Sequence, residues 1–167
     1  MFLSVCTFSV MDLLVKWSDE YPTGEVLFFR GFFGLLPTYF LIPKDQLKTF
    51  YKTSRAKEHL FRCVTGLIAL IAIVIALRTL PLAVVVSLSY AAPLFITILS
   101  IFLLSEKVGL FRWGAVLIGL IGVIVISEPG FEEMNIYYLL PLIFCLGMAF
   151  VTITIRKLST TEPIWLI

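Results

Sequence analysis

Residues 60–104 read LFRCVTGLIALIAIVIALRTLPLAVVVSLSYAAPLFITILSIFLL, two apolar runs (60–79 and 82–104) that meet at the tight turn Arg78-Thr79-Leu80-Pro81. Each run has the roughly 20 apolar residues that an α-helix needs to cross the hydrocarbon core of a bilayer. Working outward, further apolar segments fall at 2–17, 24–42, 109–127 and 136–155, so six candidate helices fill a chain of 167 residues. Composition agrees. Apolar residues make up 60% of the chain, 15 of them Phe, while the charged residues reach only 14% against roughly 25% in soluble domains. Such a chain is an all-α integral membrane protein; nucleic-acid modules, disulfide scaffolds and soluble enzymes are excluded together.

The first segment is the weakest. Only eleven residues precede Asp12, with neither a basic leader nor a small-residue cleavage pattern, so it reads as a first helix short of its opening turn and not as a signal peptide. At the other end, Thr161-Glu-Pro-Ile-Trp-Leu-Ile167 reads as the opening of a seventh helix.

Charge distribution predicts orientation. Lys44, Lys48, Lys52, Arg55, Lys57 and Arg62 crowd the connection after the second segment; Lys107 and Arg112 follow the fourth, and Arg156 and Lys157 follow the sixth. The alternate connections carry Asp19, Glu20 and Glu25, then the Arg78–Pro81 turn, then Glu128, Glu132 and Glu133. Basic loops stay in the cytoplasm, which places the N-terminus inside; the 43–62 loop also suits contact with anionic lipid. His59, the one histidine, is expected to be a solvated interfacial residue, and Cys6, Cys63 and Cys145 to be small core residues that offer no disulfide or metal framework.

Small residues recur at helical spacing: Ala69, Ala72 and Ala76 in the third segment, Ala83, Ser87 and Ala91 in the fourth, Ala115, Gly119 and Gly122 in the fifth. Where lipid supplies no hydrophobic driving force, such faces let helix backbones approach closely. Pro93 interrupts the fourth segment, removing one donor and displacing the carbonyl of Ser89, which Ser or Thr side chains or water must then satisfy. Interruptions of this kind build central sites or gates in many secondary transporters, and Ser87, Ser89, Tyr90 and Thr97 lie beside this one. Pro37 and Pro141 raise the same question.

Among ionisable groups, Arg30 stands out. Within Phe28-Phe29-Arg30-Gly31-Phe32-Phe33 it lies where exposure to lipid is costly and is expected to point into the bundle, to bind an anionic solute group, to pair with a carboxylate, or to join helices through carbonyls, with snorkelling to the interface as the remaining alternative. Glu25 projects from another face of the same helix. Asp12 and Lys16, four apart on the first helix, are expected to pair with each other, with a solute or proton role as the alternative. Glu106 ends the fourth segment beside Lys107, where it suits a neighbouring helix end. No phosphate loop, zinc motif, nucleophile elbow or cysteine pair occurs, so neither an enzyme nor a cofactor is indicated.

The first and sixth helices end alike: Asp12-Leu-Leu-Val-Lys16-Trp-Ser18 with Pro22 following, and Ile153-Thr-Ile-Arg156-Lys-Leu-Ser159 with Pro163 following. Five helices separate the two copies, and an odd number inverts the second relative to the first. Further stretches, Pro22-Thr-Gly-Glu-Val-Leu-Phe-Phe-Arg30-Gly31, Ala76-Leu-Arg78-Thr-Leu-Pro81-Leu-Ala83, Ala92-Pro93-Leu-Phe, Glu106-Lys107-Val and Gly119-Leu-Ile-Gly122-Val, complete a pattern that resembles the EamA-type members of the drug/metabolite transporter superfamily over nearly the whole chain. The resemblance implies a carrier of ten helices in two inverted five-helix repeats, here the first repeat (1–130) and the start of the second (131–167), set in the bacterial inner membrane. It implies that Arg30, Tyr90 and Pro93 lie in helices around the path and that Glu106 marks the cytoplasmic end of the fourth. It further implies a small organic solute: an amino acid or derivative, a nucleobase, a vitamin or S-adenosylmethionine. Direction and coupling ion, protons included, stay open. The length is that of a fragment; a naturally short form would have to act as an antiparallel dimer, and a non-transporting membrane scaffold is the alternative.

Overall fold

A computed structural model describes residues 2–18, 20–41, 53, 55–104, 109–127 and 136–162. The helices are α1 (Phe2–Trp17), α2 (Thr23–Leu41), α3 (Ala56–Thr79), α4 (Leu82–Ser89), α5 (Ala92–Leu104), α6 (Leu110–Ser127) and α7 (Leu139–Leu158), with a 3-10 turn, Ile136–Tyr138, leading into α7. All six expected segments are therefore helical, and the fourth is divided between α4 and α5. Among the described residues three stretches are long and apolar enough to cross a membrane, Ala56–Thr79, Leu82–Leu104 and Ile136–Leu158. The third helix starts before residue 60 because the acidic Glu58 sits in its first turn, and the sixth segment runs past 155 because Arg156 and Lys157 complement the negative end of the helix dipole.

The bundle is organised around α3. Its longest packing seam is with α7, which also lies along α5, while α1, α2 and α4 pack on α3 more lightly. The seam is close because it is made of small residues: Ala69, Ala72 and Ala76 are all buried, as are Cys145 and Ala149 opposite. At its tightest point a Cβ on Gly147 would stand 2.7 Å from the Ala69 Cβ and 3.2 Å from the Thr65 carbonyl oxygen. Toward the end where α3 stops, Val15 of α1, Ile73, Val74, Leu77 and Leu80, and Val85 of α4 form the apolar core, flanked by Leu70, Tyr138 and Phe144. Large apolar side chains elsewhere face outward, among them Phe28, Phe29, Phe32 and Phe33 of α2, which stack along the helix with Phe28–Phe32 and Phe29–Phe33 centroids 6.2 and 6.3 Å apart. In water such a surface would aggregate; it is the surface that lipid covers.

The other two small-residue faces behave differently. Ser87 and Ala91 are buried but Ala83 is exposed, and Ala115 and Gly119 of α6 are exposed, with no atom within 4 Å of a Cβ built on Gly119. The helix α6 packs on α4 and α5, and its small residues Ala115 and Gly119 border a crevice with Tyr90, Ala91 and Pro93 instead of a close seam.

Opposite ends of the bundle are fastened by polar contacts. At one end, Lys16 Nζ donates to the Leu80 carbonyl (3.1 Å), and Arg78 donates to the Ser18 carbonyl (2.8 Å) and to Thr23 Oγ1 (3.0 Å), joining the turns α1–α2 and α3–α4. The expected Asp12–Lys16 pair is not formed: the Leu80 carbonyl, freed where α3 ends, takes the ammonium instead. At the other end the Glu162 carboxylate accepts from His59 Nε2 and from Thr53 Oγ1. His59 is thus not the solvated residue expected from sequence, since Glu162 folds back from the end of α7 to cover it. Lys57 and Lys157 border one crevice at this end, so the described basic residues of the second and sixth connections share one side. Hydroxyls inside the helices are turned inward on their own backbones: Thr65, Thr79, Ser89, Thr97, Thr152 and Thr154 each donate to the carbonyl four residues back at 2.7–2.9 Å.

Gly147→Ala places a methyl group against backbone and is expected to destabilise the protein by about 1–3 kcal/mol, whereas Gly119→Ala changes stability by less than about 1 kcal/mol. Denaturation of the purified protein in mixed detergent micelles measures both. Glu162→Ala, which leaves His59 and Thr53 without their acceptor, is expected to cost about 1–3 kcal/mol in the same assay.

Candidate functional site

The light packing of α1 and α2 leaves a cavity of about 390 Å³ between them, the end of α3, and α4 and α7. Its size falls in the ordinary range for small-molecule sites. Apolar walls come from Phe8, Ile73, Leu77, Val86 and Phe144, and polar groups from Ser9, Asp12, Arg30, Ser89 and Tyr90. Asp12, Arg30 and Tyr90 sit at nearly one depth, roughly 8–13 Å along their helices from the end fastened by Arg78, at 1.5 Å per residue.

Arg30 points inward, as its Phe-rich setting on α2 requires. It is half-buried and stands on the wall between this cavity and a second space of about 530 Å³ that runs between α1 and α2 and is bordered by Glu25. The carboxylate of Asp12 is also half-buried, and near enough to Arg30 for the two charges to interact across the cavity. No direct ion pair or hydrogen bond joins them among the described residues.

The fourth span breaks at Tyr90-Ala91, immediately before Pro93. Tyr90 lies at the break, lining the main cavity on one side and, with Pro93, a smaller crevice of about 190 Å³ against Ala115 and Gly119 on the other. Two carbonyls at the break are approached from another helix: the Cys145 thiol on α7 lies 3.5 Å from both the Leu88 and Ser89 oxygens, the first of which also accepts from the Ala91 N–H at 3.0 Å. Sequence reasoning assigned this task to Ser, Thr or water and gave Cys145 only a packing role. A buried thiol is a weak donor that reads as a small apolar residue, so no signal in the sequence distinguished the two.

The remaining expected residues spread out. Ser87 is buried beside the break without lining the main cavity, and Thr97 is bonded to the Pro93 carbonyl, 2.8 Å away. Arg78 and Lys16 serve the fastened end, Glu25 is exposed on the outer groove, and Glu106 lies outside the described residues. Asp12 lines the same cavity as Arg30 instead of pairing along its own helix; Phe8, Ser9 and Phe144 complete the wall without having been singled out. No group of His, Cys, Asp or Glu suited to a metal ion occurs among the described residues.

An apolar helical bundle with three spans among its described residues long enough to cross a bilayer, holding two separated charges in a cavity beside a broken helix, defines an integral membrane protein. Residues 1–128 match the model of the EamA-like transporter family, and the chain belongs to that family. It is 30% identical over 164 residues to an S-adenosylmethionine uptake transporter of Rickettsia prowazekii, covering 96% of this chain and 54% of that protein. It is also 29% identical over 159 residues to the pseudopaline exporter CntI of Pseudomonas aeruginosa, covering 94% of this chain and 55% of that protein. The chain thus spans about half the length of these relatives. No solved structure matches it.

Cys145→Ala removes the donor at the break and is expected to lower stability by about 1 kcal/mol, with Cys145→Ser recovering most of the loss. Denaturation in mixed micelles, with the proteolysis rate at the α4–α5 junction as a second readout, checks this.

Proposed function

We propose that this chain is the first five-helix repeat and the opening of an inverted second repeat of a secondary transporter, which carries a small organic metabolite across the bacterial cytoplasmic membrane by alternating access. The observation that carries the reading is the cavity itself: half-buried Arg30 and Asp12 face a solute-sized space beside a helix break, inside a bundle whose outer surface is apolar. Ionisable groups at membrane depth are costly and mark solute or ion paths by default. A scaffold held together by packing alone would have no need of them.

In this reading Arg30 and Tyr90 contact the solute, Pro93 with Ser87 and Thr97 shapes the hinge, and Arg78 and Lys16 hold the outer end together. The division into repeats near residue 130 is supported by the family match, which ends at 128. The N-terminus is cytoplasmic, a reading supported by the gathering of Arg55, Lys57, Arg156 and Lys157 at one end of the bundle. Relatives that include one uptake transporter and one exporter leave the direction of transport to experiment.

Expressing the gene that encodes this chain in cells, and following a mixed pool of amino acids, nucleobases, vitamins and S-adenosylmethionine by mass spectrometry, tests the proposal. Arg30→Leu is expected to lower flux by roughly tenfold or more at unchanged expression, the factor expected for losing a charged hydrogen bond. Unchanged flux would remove Arg30 from the path.

A further inference from the structure

The end of the bundle where α3 begins and α7 stops holds a crevice of about 250 Å³ that the carrier reading does not use. Lys57 of α3 and Lys157 of α7 border it, and both are exposed. Phe61, Phe150 and Ile153 lie about 6–11 Å further along the same two helices toward the middle of the bundle, at 1.5 Å per residue, with Leu103 of α5 beside them. Phe61 and Phe150 meet edge to face, their centroids 5.8 Å apart, so the packing of α3 on α7 builds this floor in advance. Phe61 and Leu103 nevertheless stay exposed. The acids at this end are engaged: Glu58, which also borders the crevice, pairs with Arg55 at 3.2 Å, and Glu162 accepts from His59 and Thr53. Among the described residues no carboxylate pairs with Lys57 or Lys157.

We infer that this crevice binds one anionic phospholipid, its phosphate within reach of Lys57 and Lys157 and its acyl chains on Phe61, Leu103 and Phe150. The crevice and the lipid share one vertical order: charge lies at the membrane surface, and hydrocarbon begins one helical turn deeper. Basic pockets between spans are where anionic headgroups settle. Lysine suits the task, since its flexible stem lies along apolar surface while the ammonium reaches a phosphate from either helix. The sign of the charge selects the lipid. Phosphatidylcholine brings an ammonium of its own, which two lysines without acidic partners repel. A soluble phosphate would meet the lysines and leave Phe61 and Leu103 bare, whereas a lipid covers both. A lipid seated here touches α3, α5 and α7 together. The inference goes beyond the carrier reading and holds whether or not the chain transports.

Titrating the purified chain in detergent with dioleoyl phosphatidylglycerol or dioleoyl phosphatidylcholine, and measuring bound lipid by native mass spectrometry, tests this. Phosphatidylglycerol is expected to bind at least about tenfold more tightly than phosphatidylcholine. Lys57→Gln and Lys157→Gln each weaken phosphatidylglycerol roughly fivefold and leave phosphatidylcholine unchanged, which also shows that the variants are folded. Arg156→Gln removes a charge next to Lys157 in the chain but outside the crevice, and changes either lipid by less than about twofold. Glycerol 3-phosphate, which has the charge without the chains, leaves the bound lipid in place at roughly hundredfold excess. Three results overturn the inference. Equal affinity for the two lipids, or equal loss of both in the lysine variants, means that charge does not select the occupant. Equal weakening by Arg156→Gln and Lys157→Gln means a general attraction of the basic face. Displacement by glycerol 3-phosphate means a phosphate site that needs no lipid.

Discussion

The rest of the bundle depends on how closely α3 and α7 approach at Gly147 and Ala69. In lipid, apolar side chains gain nothing by leaving one hydrocarbon surface for another, so helices associate where backbones can meet. The seam of Ala69, Ala72, Ala76, Gly147 and Ala149 supplies that meeting, and it fixes the helix that opens the second repeat of the proposed carrier against the middle helix of the first. With this pair set, α4 and α5 have a fixed wall against which to break, and Cys145 lies at the right level to approach two carbonyls there.

The cavity is the complement of that seam. The helices α1 and α2 rest on α3 mainly through Val15, Val26 and Leu27 at one end, while Phe28, Phe29, Phe32 and Phe33 face outward. The space left beside α3 takes the polar groups of Asp12 and Arg30, which lipid would not accept. The fastening by Arg78 and Lys16 ties the turns together at the end where that packing is made.

Much of this was legible in the sequence. Apolar run lengths placed all six segments, the Phe-rich surroundings of Arg30 turned it inward, and the alanine spacing of α3 marked the tightest interface. The polar partners were harder to read. Asp12 had a cation four residues away and faces the cavity without pairing with it; Lys16 met a carbonyl; His59 met a carboxylate more than a hundred residues distant. Helical periodicity tells which face a residue occupies, but a long polar side chain chooses among partners on several helices, and that choice depends on where backbones end. The small face of α6 was overread for a related reason: small residues permit close approach and do not compel it.

The hydroxyls that bond back to their own helices have a consequence for how the helices meet one another. Six Ser and Thr side chains donate one turn back, so each is satisfied within its own helix and makes no demand on a neighbour. A helix whose hydroxyls are met in this way can shift along its partner without breaking a hydrogen bond between the two.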